Sequence, residues 1–198
     1  MDNVVGQRPS RMIVGIGGTL SPRSSSEQLV RAVLADCEGM GAATRMFSGL
    51  HLAGLPHFNP EAGSGRTEEQ DIFVRAIREA DGIVIGSPGY HGGYSGLIKN
   101  AIDLLEDLRT GGRIYFDGLP VGLAVTAAGW QACGTTLSAL RDVVHAMRGW
   151  PTPVGIALNS VEQRAFDADG AVVDDGIRLA VRTQAEQIMR FMVAPCAA

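Results

Sequence analysis

Met12-Ile13-Val14-Gly15-Ile16-Gly17-Gly18-Thr19-Leu20-Ser21-Pro22-Arg23-Ser24-Ser25-Ser26 is the stretch on which the reading of this chain turns. Its first six residues form a short apolar run ending in glycine, which reads as a strand buried on both faces. A Gly/Ser/Pro loop follows. A helical pattern then carries Leu29, Val33 and Leu34 on one face and ends near Gly39 and Gly41.

Working outward, the same alternation recurs. Residues 43–47 read as a second strand and 48–66 as loop, punctuated by Pro56, Pro60, Gly63 and Gly65. Thr67 can cap a helix that turns Ile72, Phe73, Ala76, Ile77 and Ala80 inward. Ile83-Val84-Ile85 is a third strand, followed by a loop over 86–93 and a helix over 96–108. Residues 120–126 form a fourth strand, leading through a loop with Gly129 and Gly134 into a helix ending near Met147. Residues 153–158 form a fifth strand. A polar stretch with Asp167-Ala168-Asp169-Gly170 precedes a last helix over 175–192. Five apolar strands alternating with helices predict a doubly wound α/β fold, a parallel sheet with helices on both faces. We expect one domain over residues 11–193, a flexible N-terminal tail over 1–10 and a C-terminal tail over 194–198. Ligands of such sheets sit outside the carboxyl ends of the strands, so chemistry is expected in the loops after strands one, three and four.

The chain has 198 residues, 45% hydrophobic and 19% charged, with net charge -4, which suits a folded domain and argues against nucleic acid as the main partner. No apolar run approaches the ~20 residues of a membrane span, and the first ten residues lack the basic and apolar regions of a secretory signal. Cys37, Cys133 and Cys196 are odd in number and widely spaced, with no C-x-x-C pattern, and His51, His57 and His145 are scattered. No metal site is expected, and a reduced, cytoplasmic setting fits.

Residues 19–26 carry five hydroxyls (Thr19, Ser21, Ser24, Ser25, Ser26) and the Arg23 guanidinium, directly before a helix N-terminus. Free amides and the helix dipole favour an anion there, and hydroxyls and guanidinium supply the donors a phosphate needs. The plainer reading is a serine helix cap in an ordinary loop. Gly15 and Gly17 begin a G-x-G-x-x-G fingerprint, but Leu20 stands at its third glycine, and no G-x-x-x-x-G-K-[ST] loop exists. A terminal monophosphate, as in FMN, is the best match.

Ser87-Pro88-Gly89-Tyr90-His91-Gly92-Gly93-Tyr94-Ser95-Gly96-Leu97-Ile98-Lys99-Asn100-Ala101-Ile102-Asp103 carries the function. It resembles the middle loop of the NADPH-dependent FMN reductase family, S-P-x-Y-x-G-x-x-S-G-x-L-K-N-x-x-D, at Ser87, Pro88, Tyr90, Gly92, Ser95, Gly96, Leu97, Lys99, Asn100 and Asp103, with an isoleucine, Ile98, preceding the lysine. The resemblance covers roughly residues 11–160. It implies a flavodoxin-like five-stranded sheet of order 2-1-3-4-5, one FMN per subunit, a homodimer or homotetramer, and hydride transfer from nicotinamide C4 of NADPH or NADH to flavin N5. It puts the phosphate on Thr19, Ser21, Arg23, Ser24, Ser25 and Ser26, and the flavin ring against Pro88, Gly89, Tyr90, His91 and Gly92. A third loop, including Ala127, Ala128 and Gly129, borders the ring from the other side. Arg23 comes four residues after Thr19, later than the arginine of many members. No catalytic side chain is implied, since the hard chemistry belongs to the cofactor.

Four readings stay open: a reductase supplying reduced flavin to a monooxygenase, a tightly FMN-bound quinone or azo reductase, a flavodoxin-type electron carrier without NAD(P)H activity, and a non-redox anion-binding regulatory domain. Lys99 and Asp103 read as a surface ion pair, and Cys133 as a buried structural thiol. Phe47, Met147 and Trp150 read as core or interface. Trp130 is open between stacking on a planar ligand and packing.

Overall fold

A computed structural model of the chain describes residues 11–21, 23–61 and 65–191; the expected tails over 1–10 and 194–198 lie outside the described residues. Strand β1 (Met12–Gly17) is buried from Ile13 onward. Its side chains alternate between two apolar layers, because successive residues of a strand point to opposite faces. Val14 and Ile16, with Ile83, Ile85, Leu123 and Val125, face one layer. Ile13, with Val84 and Ala124, faces the other. This is why the strands read as continuous apolar runs: neither face meets water.

The elements follow in the order α1 (Ser25–Gly39), β2 (Ala43–Phe47), α2 (Gly49–Ala53), α3 (Glu68–Glu79), β3 (Gly82–Tyr90), β4 (Gly93–Tyr94), α4 (Gly96–Asp103), a 3-10 turn (Leu104–Leu108), β5 (Pro120–Ala127), α5 (Trp130–Ala146), β6 (Trp150–Pro151), β7 (Ile156–Asn159) and α6 (Asp175–Phe191). The sheet runs β2-β1-β3-β5-β6, with β7 also on β5. The pairings along it are parallel, for instance Ile13 opposite Gly82 and Ile83 opposite Val121. Counting β6 and β7 as one interrupted strand, this is the expected 2-1-3-4-5 order. Thr67 caps α3, accepting from the Gln70 amide at 3.2 Å.

Three features depart from the expectations. The expected fifth strand begins earlier and is split, β6 and β7 lying on β5 at Pro120–Val121 and Ala124–Ala127. Pro151 and Pro153 lack the amide hydrogens a continuous ladder needs. The buried Gln184 side chain of α6 spans the gap, its Nε2 donating to Leu123 O at 3.0 Å and Val154 O at 2.9 Å. Second, the third strand continues to Tyr90 instead of ending at Ile85, and turns back as a hairpin with Gly89 opposite Tyr94. Its two turn residues, His91 (φ 52) and Gly92 (φ 83), both adopt the left-handed conformation of a type I′ turn. Third, residues 48–66 hold a short helix, α2, capped by Ser48. Of the three residues read as core or interface, Phe47 and Met147 are core, and Trp150 is 56% exposed. Lys99 and Asp103 form the expected ion pair at 2.6 Å.

Candidate functional site

The loops after β1, β3 and β5 all leave the sheet at its carboxyl edge, because the three strands are adjacent and parallel. Three segments far apart in sequence thereby share one rim.

The first is built on the start of α1. Ser24 is its N-cap, with Oγ accepting from the Glu27 amide at 3.0 Å. Ser24 and Ser26 are both buried, and their hydroxyls lie 3.1 Å apart in a hydrogen bond. Ser24 is therefore both the cap and a hydroxyl facing its neighbour, so the plain and the functional reading of this residue are not exclusive. The Ser25 and Ser26 amides, in the first helical turn, have no intrahelical acceptor. Ser21 and Arg23 are exposed, and Thr19 and Ser25 half-buried. The Thr19 hydroxyl accepts from the Ser21 amide at 3.2 Å, which folds the loop over the helix end. Behind the loop stands α2. A Cβ on Gly49 would lie 1.8 Å from the Thr19 carbonyl oxygen, so only glycine permits this approach. Gly49 N also donates to Glu27 Oε2 at 3.2 Å, tying α2 to the first turn of α1. That contact was not legible in the sequence, because α2 itself was read as loop.

The second segment is the hairpin end of β3. The Ser87 hydroxyl donates to Pro88 O at 2.9 Å and accepts from the Ser95 amide at 3.0 Å. Ser95 in turn caps α4, accepting from the Ile98 amide at 3.3 Å. These bonds, with the type I′ turn, hold Pro88, Gly89, Tyr90, His91 and Gly92 in a stiff ribbon rather than a free loop. Pro88 is buried and Gly89 half-buried; Tyr90, His91 and Gly92 are exposed.

The third segment joins β5 to α5. Ala127 is buried, and its carbonyl accepts from the Ser160 amide at 2.9 Å; Ala128 is exposed and Gly129 half-buried. Gly129 is the N-cap of α5 and supplies no side-chain cap. The first-turn amides of a 17-residue helix are thus left as donors at this rim. Nearby Cys133 is buried, its thiol donating to Leu158 O at 3.3 Å, and burial pushes its pKa up. It is a structural thiol, not a thiolate. Among the described residues no group of three His, Cys, Asp or Glu side chains could hold a metal ion.

The residues present fit a flavin mononucleotide: one helix start lined with hydroxyls for a phosphate, and a flat-sided rim with an uncapped helix for a ring that carries partial negative charge. A groove of about 540 Å3 opens at Ser21 and Ser24 of the first loop and runs along the flank of α1 to Asp169, Gly170 and Arg178.

The family described as NADPH-dependent FMN reductase matches residues 12–163. An FMN-dependent NADPH-azoreductase of Staphylococcus haemolyticus is 33% identical over 122 residues, 61% of each chain. One from Staphylococcus aureus strain USA300 is 35% identical over 125 residues, 62% of each chain. The chain thus spans about 61% of the length of these curated relatives. Among solved structures, FerB from Paracoccus denitrificans, a flavoenzyme NAD(P)H:(acceptor) oxidoreductase, superposes with a TM-score of 0.74 at 21% identity, covering 91% of this chain and 98% of that one. An oxidoreductase from Corynebacterium diphtheriae superposes with a TM-score of 0.70 at 21% identity, covering 94% and 99%. At that identity the superpositions speak for the fold alone, whereas the family match spans three quarters of the sequence and all three loops: the chain belongs to the NADPH-dependent FMN reductase family.

Proposed function

We propose that this chain binds FMN across its three carboxyl-edge loops and acts as an NAD(P)H-dependent flavin oxidoreductase. The observation that carries the reading is the convergence on one rim of a hydroxyl-lined helix start, a stiff aromatic hairpin and an uncapped helix N-terminus. When bound, FMN supplies two-electron redox chemistry between a nicotinamide and an acceptor. Thr19, Ser21, Arg23, Ser24, Ser25 and Ser26, with the Ser25 and Ser26 amides, would hold the phosphate. Pro88 to Gly92 would border the ring. The α5 amides at its N-terminus donate toward developing negative charge, which is electrostatic stabilisation by preorganised dipoles. No side-chain acid or base is required.

Two finer readings differ in what receives the electrons. Release of reduced FMN to a separate monooxygenase is one. Retention of FMN with reduction of an azo compound or quinone is the other, and the azoreductase relatives support it. Exposed Leu50 and Trp150 support assembly as a homodimer or homotetramer, and the two cysteines among the described residues, both free, support a reducing, cytoplasmic setting. The test is anaerobic mixing of the FMN-loaded chain with NADPH or NADH. Bleaching of the flavin absorbance is expected; a flavin that binds but is not bleached would leave an electron carrier instead. Dependence of turnover on added free FMN separates the two acceptor readings.

A further inference from the structure

Trp130 opens α5 and is 50% exposed, yet its Nε1–H is tied at 2.8 Å to Glu162 Oε2. Glu162 does not hang from loose chain. The buried Asn159 side chain accepts from the Val161 amide at 3.1 Å and the Glu162 amide at 3.3 Å, and the Asn159 amide donates to Gln163 Oε1 at 3.1 Å. A packing anchor would hide its ring, and a casual surface indole would leave its N–H to water. Here the edge of the ring is fixed while half of its surface stays open.

The fold puts that open ring at the rim. It stands three residues beyond the end of β5, and Glu162 three residues beyond the end of β7. The next turn of α5 lies against the aromatic hairpin: a Cβ on Gly89 would stand 2.8 Å from Thr136 Oγ1 and 3.2 Å from Ala132 O. Tyr90, 57% exposed, and Trp130 thus border the same edge of the sheet from β3 and from β5 and β7. Trp150, the other tryptophan, is opposite Pro120 at the far end of β5.

We infer that Trp130 is the aromatic wall of the acceptor subsite, that Glu162 is the positioning residue that fixes its indole, and that the acceptor taken there is a planar aromatic molecule such as a quinone or azo compound. This rests on the FMN reading above, in its azo- or quinone-reducing form, and adds the residue that selects a planar acceptor. A flat ring stacks on an indole already held in place, so little side-chain freedom is lost on binding. The overall reaction balances as quinone plus NADPH plus one proton giving hydroquinone plus NADP+, with both electrons from NADPH and the second proton from solvent.

The test compares menadione, which is planar, with ferricyanide, which cannot stack, as acceptors for the FMN-loaded full chain and its W130A, W130F, E162A and E162Q variants. FMN affinity is read separately on each by flavin fluorescence. W130A is expected to lower the menadione-to-ferricyanide ratio of kcat/KM by roughly 3- to 10-fold, chiefly through the KM for menadione, as loss of one aromatic contact requires. W130F keeps most of the ratio. E162A lowers it in the same direction, and E162Q, whose amide oxygen still accepts from the indole N–H, restores it. An unchanged ratio in W130A with normal FMN binding overturns this inference and leaves the flavin reading standing. Weaker FMN binding in W130A with an unchanged ratio overturns it too, by making Trp130 a cofactor contact. A parent chain that binds no FMN overturns both.

Discussion

Substituting Gly49 by alanine sets two expectations of opposite sign against each other. Gly49 is the first residue of α2. On helix propensity alone the alanine stabilises, by up to about 1 kcal/mol. In the fold, the new Cβ falls 1.8 Å from the Thr19 carbonyl oxygen and 2.4 Å from its carbonyl carbon. Ordinary contact begins near 3.4 Å, so one backbone must retreat by about 1.6 Å, and neither atom belongs to a flexible side chain. Overpacking of this kind costs about 1–3 kcal/mol, which offsets or exceeds the propensity gain. The retreat acts on the loop proposed to hold the phosphate, both at Thr19 and through the bond from Gly49 N to Glu27. Loss of one charge-assisted hydrogen bond there is about 1.5–3 kcal/mol, or roughly 10- to 100-fold in affinity. Urea unfolding of the apoprotein and FMN titration by flavin fluorescence read the two effects. Gly39→Ala, where a Cβ meets nothing within 4 Å, is the control and should gain a few tenths to about 1 kcal/mol. A G49A protein more stable than the parent, with unchanged FMN affinity, would refute the packing of α2 on the phosphate loop.

Further outcomes follow from single contacts. Arg113 caps the end of α3, Nη1 donating to Ala80 O at 2.7 Å and Nη2 to Ile77 O at 2.6 Å and Arg78 O at 2.7 Å, so R113A should cost about 2–4 kcal/mol and lower Tm without touching the flavin rim. Burial, with opposing help from Asp81 and Asp117, pulls this guanidinium below the usual arginine range, and it stays charged. Q184M removes both side-chain bonds across the split strand and should cost about 1–3 kcal/mol in urea unfolding. Cys37 is buried, and burial, with Asp36 and Glu38 adding to it, pushes its thiol from 9.0 up to about 12. The folded chain therefore keeps a proton that the unfolded chain releases. Its contribution is complete below about pH 9 and lost as pH rises toward 12, so C37V should show a shallower fall in urea midpoint between pH 9 and 11 than the parent. In a C196S background, the thiols of Cys37 and Cys133 should react with a disulfide reagent only at the rate of unfolding.

The architecture was legible because burial on both sheet faces writes itself as apolar runs, and Val14, Ile16, Val84 and Ile85 can be read from their neighbours alone. What escaped was decided between segments. The break in the last strand depends on Gln184, some 30 residues on, replacing the lost ladder donors. The hairpin at His91-Gly92 was hidden because only its pairing with Gly93 and Tyr94 separates a glycine-rich strand end from a loop. Five-residue α2 has too short an apolar pattern to announce itself. At the site, hydroxyls, glycines and a serine cap were visible in the sequence, but the burial of Ser26 and the tie from Trp130 to Glu162 are tertiary facts. Trp150 was open between core and interface by its type, and it stands exposed because it opens an edge strand.

The most direct test of the account is the affinity of the apoprotein for FMN against riboflavin, the same ring without its phosphate. If the hydroxyls and first-turn amides of residues 19–26 hold that phosphate, riboflavin should bind roughly 100-fold more weakly, the equivalent of one or two charge-assisted hydrogen bonds. S24A, which also removes the α1 cap, should narrow that gap while costing about 1 kcal/mol of stability. Equal affinity for the two flavins would contradict the account, because the helix start that organises the whole site would then bind nothing.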